Sequence, residues 1–426
     1  MATVSPLRGV RFDPGRVELG RVLAPPYDVI SDAQREQLYA QDPHNIVRID
    51  YGRDQPRDAA GVEDRYTRAA AQLQSWQAEG VLRRDARPAV YVHDHAVTGV
   101  DGSRRVRRGI HARVPALPWE QSEVLPHERT MRGPKEDRLR LMRATRTQTS
   151  PVFVLWDRAP GMADALDAAT GRDPDAAAEH CGEIGPEEHR LWVVDGGAAT
   201  AILEALGPAR LYIADGHHRF ETAAAYAAER HAAEPDAPPD ADFAMTLLWL
   251  CGADDDAIEV LPTHRLVLPG PGLPTTLGEL LPRLGDHFSV EPQPSLESAV
   301  AGAALRRDTD HALAVAGRDG AALLTAPRRF GGSARAGLDV SVVQDEVLGR
   351  GCGLDADAIA GGAVAYTRSV GDAQAALGDG RAALAVCVNG CTTAEIIAVS
   401  DAGETMPQKS TYFHPKVPTG LVLSPL

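Results

Sequence analysis

The run Asp215-Gly-His-His-Arg219 packs a carboxylate, two imidazoles and a guanidinium around one glycine, directly after the apolar stretch Leu211 to Ala214. Beyond it, Phe220, Ala223, Ala224 and Ala227 follow the i, i+3, i+4, i+7 spacing of a helix face. The pattern predicts a strand that turns sharply into a helix, with the polar groups on the turn. Such a turn is a natural anion site, because the first N–H groups of a helix lack intrahelical acceptors and the helix dipole favours negative charge there. Gly216 allows close backbone approach to a ligand. The fork of donors on Arg219 suits phosphate oxygens. His217 and His218 point about 100° apart on a helix, a poor bidentate metal pair. Asp215 is better matched to Mg²⁺, a hard cation that takes few carboxylates alongside substrate phosphates. The plain alternative is a capped helix with two surface histidines, but a capping Asp does not call for His217, His218 and Arg219 beside it.

Two further clusters carry chemistry. His127-Glu128 precedes a basic run of Arg129, Arg132, Lys135, Arg138, Arg140, Arg143 and Arg146, interrupted only by Glu136 and Asp137. A carboxylate next to such a stripe is the arrangement a general base needs beside a phosphate-bearing substrate. The competing reading is a solvated helix face of Glu–Arg pairs. The tail Met406-Pro-Gln-Lys-Ser-Thr-Tyr-Phe-His-Pro-Lys416 brings Lys409, Ser410, Thr411, His414 and Lys416 together. Its prolines and the apolar ending Leu421-Val-Leu-Ser-Pro-Leu426 predict a docked tail instead of a frayed one.

Weaker signals are His93 and His95, which share a strand face and could share a metal, although no third ligand is apparent. Arg104-Arg-Val-Arg-Arg108 reads as a solubilising hairpin face in an acidic chain. There is no Walker A loop, no GxGxxG at a strand–helix junction and no GxSxG.

The elements that must position these groups form a mixed α/β chain. Ala24-Pro-Pro-Tyr-Asp-Val29 is a rigid extended segment, because each proline fixes its own φ and restricts the residue before it. Ser31 predicts a helix cap with the helix reaching Gln41, and a longer helix is expected from Ala59 to Ala78. Ala89–Val97 and Arg105–Val114 alternate around Asp101-Gly102 as a hairpin, and a second hairpin turns at Arg318-Asp319-Gly320. Phe243–Leu250 reads as a buried strand, and a last helix runs from near Thr392 to Gly403. Composition and turn residues suggest an N-terminal α/β region over 1–118 and a core with the main motifs over 119–270. A C-terminal α/β region would follow over 271–400, then a docked tail over 401–426.

At 426 residues with 44% hydrophobic and 24% charged content, the chain can build sizeable cores. A net charge of −15 argues against general nucleic-acid or anionic-membrane binding. No run of about 18 apolar residues is present to span a bilayer, and no signal-peptide pattern opens the sequence. The five cysteines show no CxxC pairing and read as reduced thiols in a cytoplasmic protein.

Five segments together resemble the bacterial family catalogued as domain of unknown function 1015. They are Ala24–Val29, His127-Glu-Arg-Thr130, Tyr212–Arg219, Leu261-Pro-Thr-His-Arg265 and Met406–Lys416, in that order along nearly the whole chain. More distantly, the Asp-Gly-His-His-Arg turn is similar to the phosphate-binding turn of the ParB/sulfiredoxin superfamily, which includes free serine kinases. The resemblance implies a ParB/sulfiredoxin-like core inside a larger α/β protein. It implies phosphate binding at Gly216, His217, His218 and Arg219, with Asp215 orienting Mg²⁺ or a hydroxyl and Glu128 as base. Lys409 joins the phosphate contacts. Tyr27, Asp28, His127, Arg129, Thr130, Arg132, Lys135, Ser410 and Thr411 complete the expected substrate surface. The sulfiredoxin cysteine is replaced by His217, which argues against sulfinic-acid reduction, and no helix-turn-helix supports partition-type DNA binding.

The activity expected from these parts is phosphoryl transfer to a small hydroxylated metabolite, free serine first, from ATP, ADP or pyrophosphate. Alternatives are a non-catalytic phosphate or nucleotide sensor, or a phosphoester hydrolase at the same turn.

Overall fold

The computed structural model describes residues 3–128, 132–328 and 333–426, and the side chains of Arg132, Gly133, Pro134 and Cys181 lie outside that description. The chain forms two compact units. One comprises Met1–Pro126, Thr130–Glu259 and Pro415–Leu426, and the other His127–Arg129 and Val260–His414. Both are mixed α/β.

The first unit is built on a mixed eight-stranded sheet. Its order is Val124–Leu125, Leu211–Asp215, Val152–Trp156, Met245–Gly252, Arg104–Pro115, Val90–Thr98, Pro186–Val194, Ala176–Cys181. Met245–Gly252 is buried at every position and runs parallel to Val152–Trp156 and antiparallel to Arg104–Pro115. Such a continuous apolar run is what a strand covered on both faces requires. Leu211–Asp215 lies antiparallel to Val152–Trp156, and its register shifts between Ile213 and Asp215. A bulge of this kind re-aims the side chain that follows it, here Asp215.

The end of the chain completes this unit. Val10 bridges to Leu423 and Ala24 to Thr419, and Ser424–Pro425 pairs with Thr147–Gln148. Leu421, Val422 and Leu423 sit in the same apolar cluster as Val10, Val22, Ile46 and Trp76. The sequence division at residue 118 therefore falls inside one sheet, because Val90–Thr98 and Arg104–Pro115 pair with strands from both sides of it. The Pro- and Gly-rich segment near residue 270 lies within the second unit, and the tail divides at Pro415.

Local signals held where capping groups are strong. Ser31 and Gln34 form a reciprocal capping box on helix Asp32–Gln41, and Thr392 and Glu395 do the same for Thr393–Asp401. The helix expected from Ala59 begins instead at Arg65. Asp64 accepts from the N–H groups of Tyr66 and Thr67, while Ala59 and Glu63 pair as a turn before it.

The second unit carries a six-stranded antiparallel sheet in the order Ser289–Gln293, Gly320–Pro327, Asp310–Gly317, Leu384–Cys387, His264–Val267, Val364–Thr367. Helices Leu296–Leu305 and Val370–Gly378 cover it through small side chains such as Ala299, Ala314, Ala373 and Ala385. Among the described residues no helix is long and apolar enough to cross a membrane.

His264 is buried in this unit, and its Nδ1 accepts the Val388 N–H at 3.4 Å. Burial, helped by the neighbouring Arg265 charge, lowers it to about 4. A depressed histidine leaves the folded state with fewer protons than the unfolded one. Its contribution is therefore intact above the unfolded value near 6.5 and is lost as pH falls toward 4. The difference amounts to at most about 3 kcal/mol. Denaturant unfolding between pH ~7 and ~4.5 should show a smaller loss of stability for His264→Asn than for the natural chain. Equal pH slopes would remove His264 as a contributor.

Candidate functional site

The strand Leu211–Asp215 passes through Gly216 into helix His217–Ala233. Gly216 adopts φ +94°, and a Cβ there would meet the Arg219 guanidinium at 2.9 to 3.0 Å. Both facts call for glycine. The helix begins at His217, three residues before the apolar periodicity starts, so both histidines and Arg219 lie in its first turn.

The Asp215 carboxylate is the centre of this turn. One oxygen pairs with Lys416 Nζ, and the other accepts from Arg219 Nη2 at 2.6 Å. Arg219 also donates through Nη1 to Ser150 Oγ at 2.8 Å and to the Pro151 carbonyl. Thr419 donates to the same Ser150 oxygen at 3.2 Å, so the tail is fastened just beyond Lys416. Burial disfavours the charged carboxylate. Lys416 and Arg219, and His217 beside them, outweigh that penalty and hold Asp215 well below the usual carboxylate range.

Behind the turn lies a second charged layer. Arg138 donates to the Asp50 carbonyl at 2.8 Å and to Asp50 Oδ1 at 3.2 Å, and stacks over the Tyr27 ring at 3.9 Å. Thr149 donates to the same Asp50 oxygen at 2.6 Å. Burial raises the Tyr27 hydroxyl, with Asp28 adding to it. Asp28 itself is exposed. Further along the helix, Lys135 pairs with Glu221 at 2.6 Å, and Trp119 Nε1 donates to Glu221 at 2.6 Å. Trp119, Lys135, Leu139, Glu221 and Ala225 line a groove on this side of the first unit.

Much of the expected basic stripe is internally paired. Arg143 meets Glu229 at 2.6 Å, Arg140 meets Glu136 at 3.8 Å, and Arg138 is buried against Asp50 and Asp137. The helix spans Arg132–Thr145. Arg129 and Thr130 lie outside the described residues, as does the Arg132 side chain.

Another group of sequence candidates gathers within the second unit. Glu128 pairs in parallel with Met406, and its carboxylate accepts the Lys409 N–H at 3.4 Å. Lys409 takes φ +57°, an uncommon conformation for a residue with a side chain. His127 Nε2 lies 3.0 Å from Thr411 Oγ1, and its carbonyl accepts the Met406 N–H at 2.8 Å. Ser410 donates to the Pro407 carbonyl at 2.5 Å. Arg265 is buried in the same unit. Burial lowers its affinity for a proton, while Tyr366, Cys391 and Glu128 act in the opposite direction.

Glu128, His127, Lys409, Ser410 and Thr411 thus form one group in the second unit. Asp215, Gly216, His217, His218, Arg219, Tyr27 and Lys135 belong to the first. Sequence reasoning named Lys409 and passed over Lys416 as the partner of Asp215. It also missed Ser150, Asp50 and Arg138 as the groups behind the turn. Lys416 stands in the same tail motif as Lys409, but its partner is 201 residues away in the chain. With Lys416 on one oxygen and Arg219 on the other, Asp215 is already balanced by two cations. A divalent ion at this carboxylate would have to displace Lys416, so the arrangement does not fit a resident Mg²⁺.

Fold and site define a mixed α/β protein with a charge-balanced carboxylate at a glycine-turned helix N-terminus. The chain belongs to the family described as "Protein of unknown function (DUF1015)", whose sequence profile matches residues 4–341. No curated protein sequence matches it. Among solved structures it is similar to one described as "Free serine kinase in complex with AMP", at 15% identity and TM-score 0.36, covering 73% of this chain and 92% of that one. A conserved hypothetical protein from Pyrococcus furiosus aligns at 14% identity and TM-score 0.36, over 72% and 93% of the two chains. C-terminally truncated SbnI from Staphylococcus aureus aligns at 10% identity and TM-score 0.36, over 73% and 85%. Likenesses of this size leave the chemistry to be argued from the residues of this chain.

Replacing Lys416 by Met removes one of the two cations on a buried carboxylate. Breaking such a pair costs about 3–5 kcal/mol. Because the lowered Asp215 stabilises the fold fully above its unfolded value of 3.8 and loses that effect as pH falls from there through its lower folded value, the deficit should appear at neutral pH and shrink in strong acid. Urea denaturation of Lys416→Met, alone and combined with Asp215→Asn, checks this. The double variant should recover part of the loss, and a neutral effect of the single variant would refute the pairing.

Proposed function

We propose that this chain is a phosphotransferase acting on a small hydroxylated metabolite, with free L-serine as the first candidate acceptor and ATP, ADP or pyrophosphate as donor. The observation that carries the reading is the Asp215 carboxylate, kept ionised between Lys416 and Arg219 at the start of the His217–Ala233 helix. Phosphoryl transfer needs positioning and charge neutralisation more than covalent help from the protein. The pieces for both are here. A helix N-terminus turned by Gly216 offers backbone donors for phosphate oxygens. Lys416 is a compact, mobile-headed cation able to exchange Asp215 for a phosphate as the donor arrives. Arg219 faces inward toward Ser150 and Pro151, so in this reading it fixes Asp215, and the backbone with His217 and His218 takes the phosphate contacts.

Asp215 is proposed to orient the acceptor hydroxyl. Glu128 is proposed as the base that takes its proton. Mg²⁺ is proposed to arrive with the donor, where it would neutralise phosphate charge.

The test is to incubate purified protein with Mg²⁺, L-serine and each donor in turn, and to follow phosphoserine and inorganic phosphate. Phosphoserine is the expected product. Phosphate alone would mean hydrolysis at this site, and neither product would leave a ligand-binding protein. With the active pair in hand, Glu128→Gln should lower turnover about 10²–10⁴-fold, the range typical for loss of a general base. Asp215→Asn should lower it about 10²–10³-fold. Near-natural turnover in either variant removes that residue from the mechanism.

A further inference from the structure

The eight-stranded sheet buries a second polar cluster that the proposed phosphoryl chemistry does not use. Alternate residues of four adjacent strands face the same side: His180; Glu187 and His189; His93 and His95; Arg107 and His111. His93, His95, His111 and Arg107 are 0% exposed and His189 is 1% exposed. Cross-strand pairing sets His95 opposite His189 on one side and Arg107 on the other. A sheet interior is normally filled with aliphatic and aromatic side chains, and this one holds five imidazoles, a carboxylate and a guanidinium.

The contacts inside the cluster are short. His95 Nε2 lies 2.6 Å from Glu187 Oε2, and His93 Nε2 lies 2.9 Å from His189 Nδ1. His189 Nε2 is 3.2 Å from His180 Nδ1, and His180 Nε2 is 3.7 Å from that same Glu187 oxygen. The donor atoms of His95, Glu187 and His189 all fall within 4.8 Å of one another. Hydrogen bonding does not satisfy the group. His93 Nδ1, both nitrogens of His111 and Arg107 Nη1 are buried with no hydrogen-bond partner. Leaving buried polar atoms unpaired forfeits their hydration without replacement, so a purely structural role would favour apolar replacements.

We infer that His95, Glu187 and His189, with His180 as a fourth donor, form a binding site for a divalent transition-metal ion of the zinc class. Three imidazoles and one carboxylate make a nitrogen-rich set of borderline softness, which suits Zn²⁺ and disfavours Mg²⁺ or Ca²⁺. A closed set of four protein ligands marks a structural site. The ion would join the Ala176–Cys181 and Pro186–Val194 hairpin to the neighbouring Val90–Thr98 strand.

The surrounding groups fit that role. Where the His189 Nδ1–H donates to His93, the Nε2 lone pair of His189 is left for the ion. Arg107 donates to Nδ1 of His95 through Nη2 at 2.9 Å, so the ring proton sits on Nε2, facing Glu187. The ion takes the place of that proton, which leaves for solvent, and the guanidinium on the far nitrogen stabilises the resulting imidazolate. The His180 side chain is 19% exposed on an edge strand, which provides the entry path.

The test uses untagged full-length protein stripped with a chelator, reloaded with Zn²⁺ or Co²⁺, passed through gel filtration and measured for metal content. One equivalent should be retained. The Co²⁺ form should show the intense visible absorption of a tetrahedral site, and Zn²⁺ should raise the melting temperature of the stripped protein. Glu187→Gln preserves shape and should weaken binding at least ~10²-fold. His287→Ala, on an exposed histidine of the second unit, should leave binding unchanged. Circular dichroism confirms that each variant is folded. Substoichiometric metal in the natural chain, or equal retention by folded Glu187→Gln, overturns the site and leaves a hydrogen-bonded polar core. The phosphotransfer assay is independent of this outcome, since none of these residues belongs to the Asp215 turn.

Discussion

The first unit depends on one buried carboxylate being neutralised from two directions. Asp215 ends a strand, Arg219 lies in the first turn of the helix that follows, and Lys416 comes from near the end of the chain. Removing a carboxylate from water is tolerable only when opposite charge and hydrogen bonds replace the lost hydration. That requirement links local and long-range structure. The register shift before Asp215 aims its side chain, Gly216 at φ +94° lets the helix start immediately, and Arg219 reaches back over one helical turn. None of these can supply the second cation. It must come from elsewhere, and the strand-like returns at Val10–Leu423 and Ala24–Thr419 hold the tail in the place that supplies it.

The same constraint makes the turn chemically useful. A carboxylate held below its ordinary range stays ionised in acid as well as at neutral pH. In the proposed phosphotransfer, an incoming phosphate would meet a preorganised pair that can exchange partners without moving a proton. Preorganisation of this kind reduces the rearrangement needed when charge moves. Arg219 contributes by being fixed, with its donors shared among Asp215, Ser150 and the Pro151 carbonyl. Lys416 contributes by being a point charge on a flexible stem.

What could be read from the sequence was what short-range chemistry determines. The change from an apolar run to helical periodicity marked the Leu211–Asp215 strand and the helix after it. Ser31 and Thr392 announced their helices because capping boxes are completed within three residues. Asp101-Gly102 and Asp319-Gly320 announced hairpins because the turn itself demands those residues. The helix expected from Ala59 starts later, at Arg65, because Gly61 turns at φ +75° and Asp64 captures two N–H groups and sets the boundary. Long-range pairing was not legible. The same motif that displayed Lys416 also displayed Lys409, and only the tail's return past Thr419 distinguishes the partner of Asp215 from the residue beside Glu128.

The histidine cluster shows the same limit from the other side. His93 and His95 were visible as a pair on one strand face, and a third ligand was not, because it lies 92 residues further on at Glu187. Metal motifs recognised from sequence rely on ligands spaced within one turn or loop. A sheet assembles ligands across strands instead, at positions fixed by register and separated by any length of chain. The register His95 opposite His189 and His180 opposite Glu187 turns four unremarkable positions into one donor set. Asp215 resolves the cost of burial with charges drawn from the protein itself. The imidazoles around Glu187 cannot, since Arg107 is their only strong cation among the described residues and it already donates to His95 and the Pro415 carbonyl. A buried set of lone pairs with too few protons to share is a stable arrangement when a cation completes it.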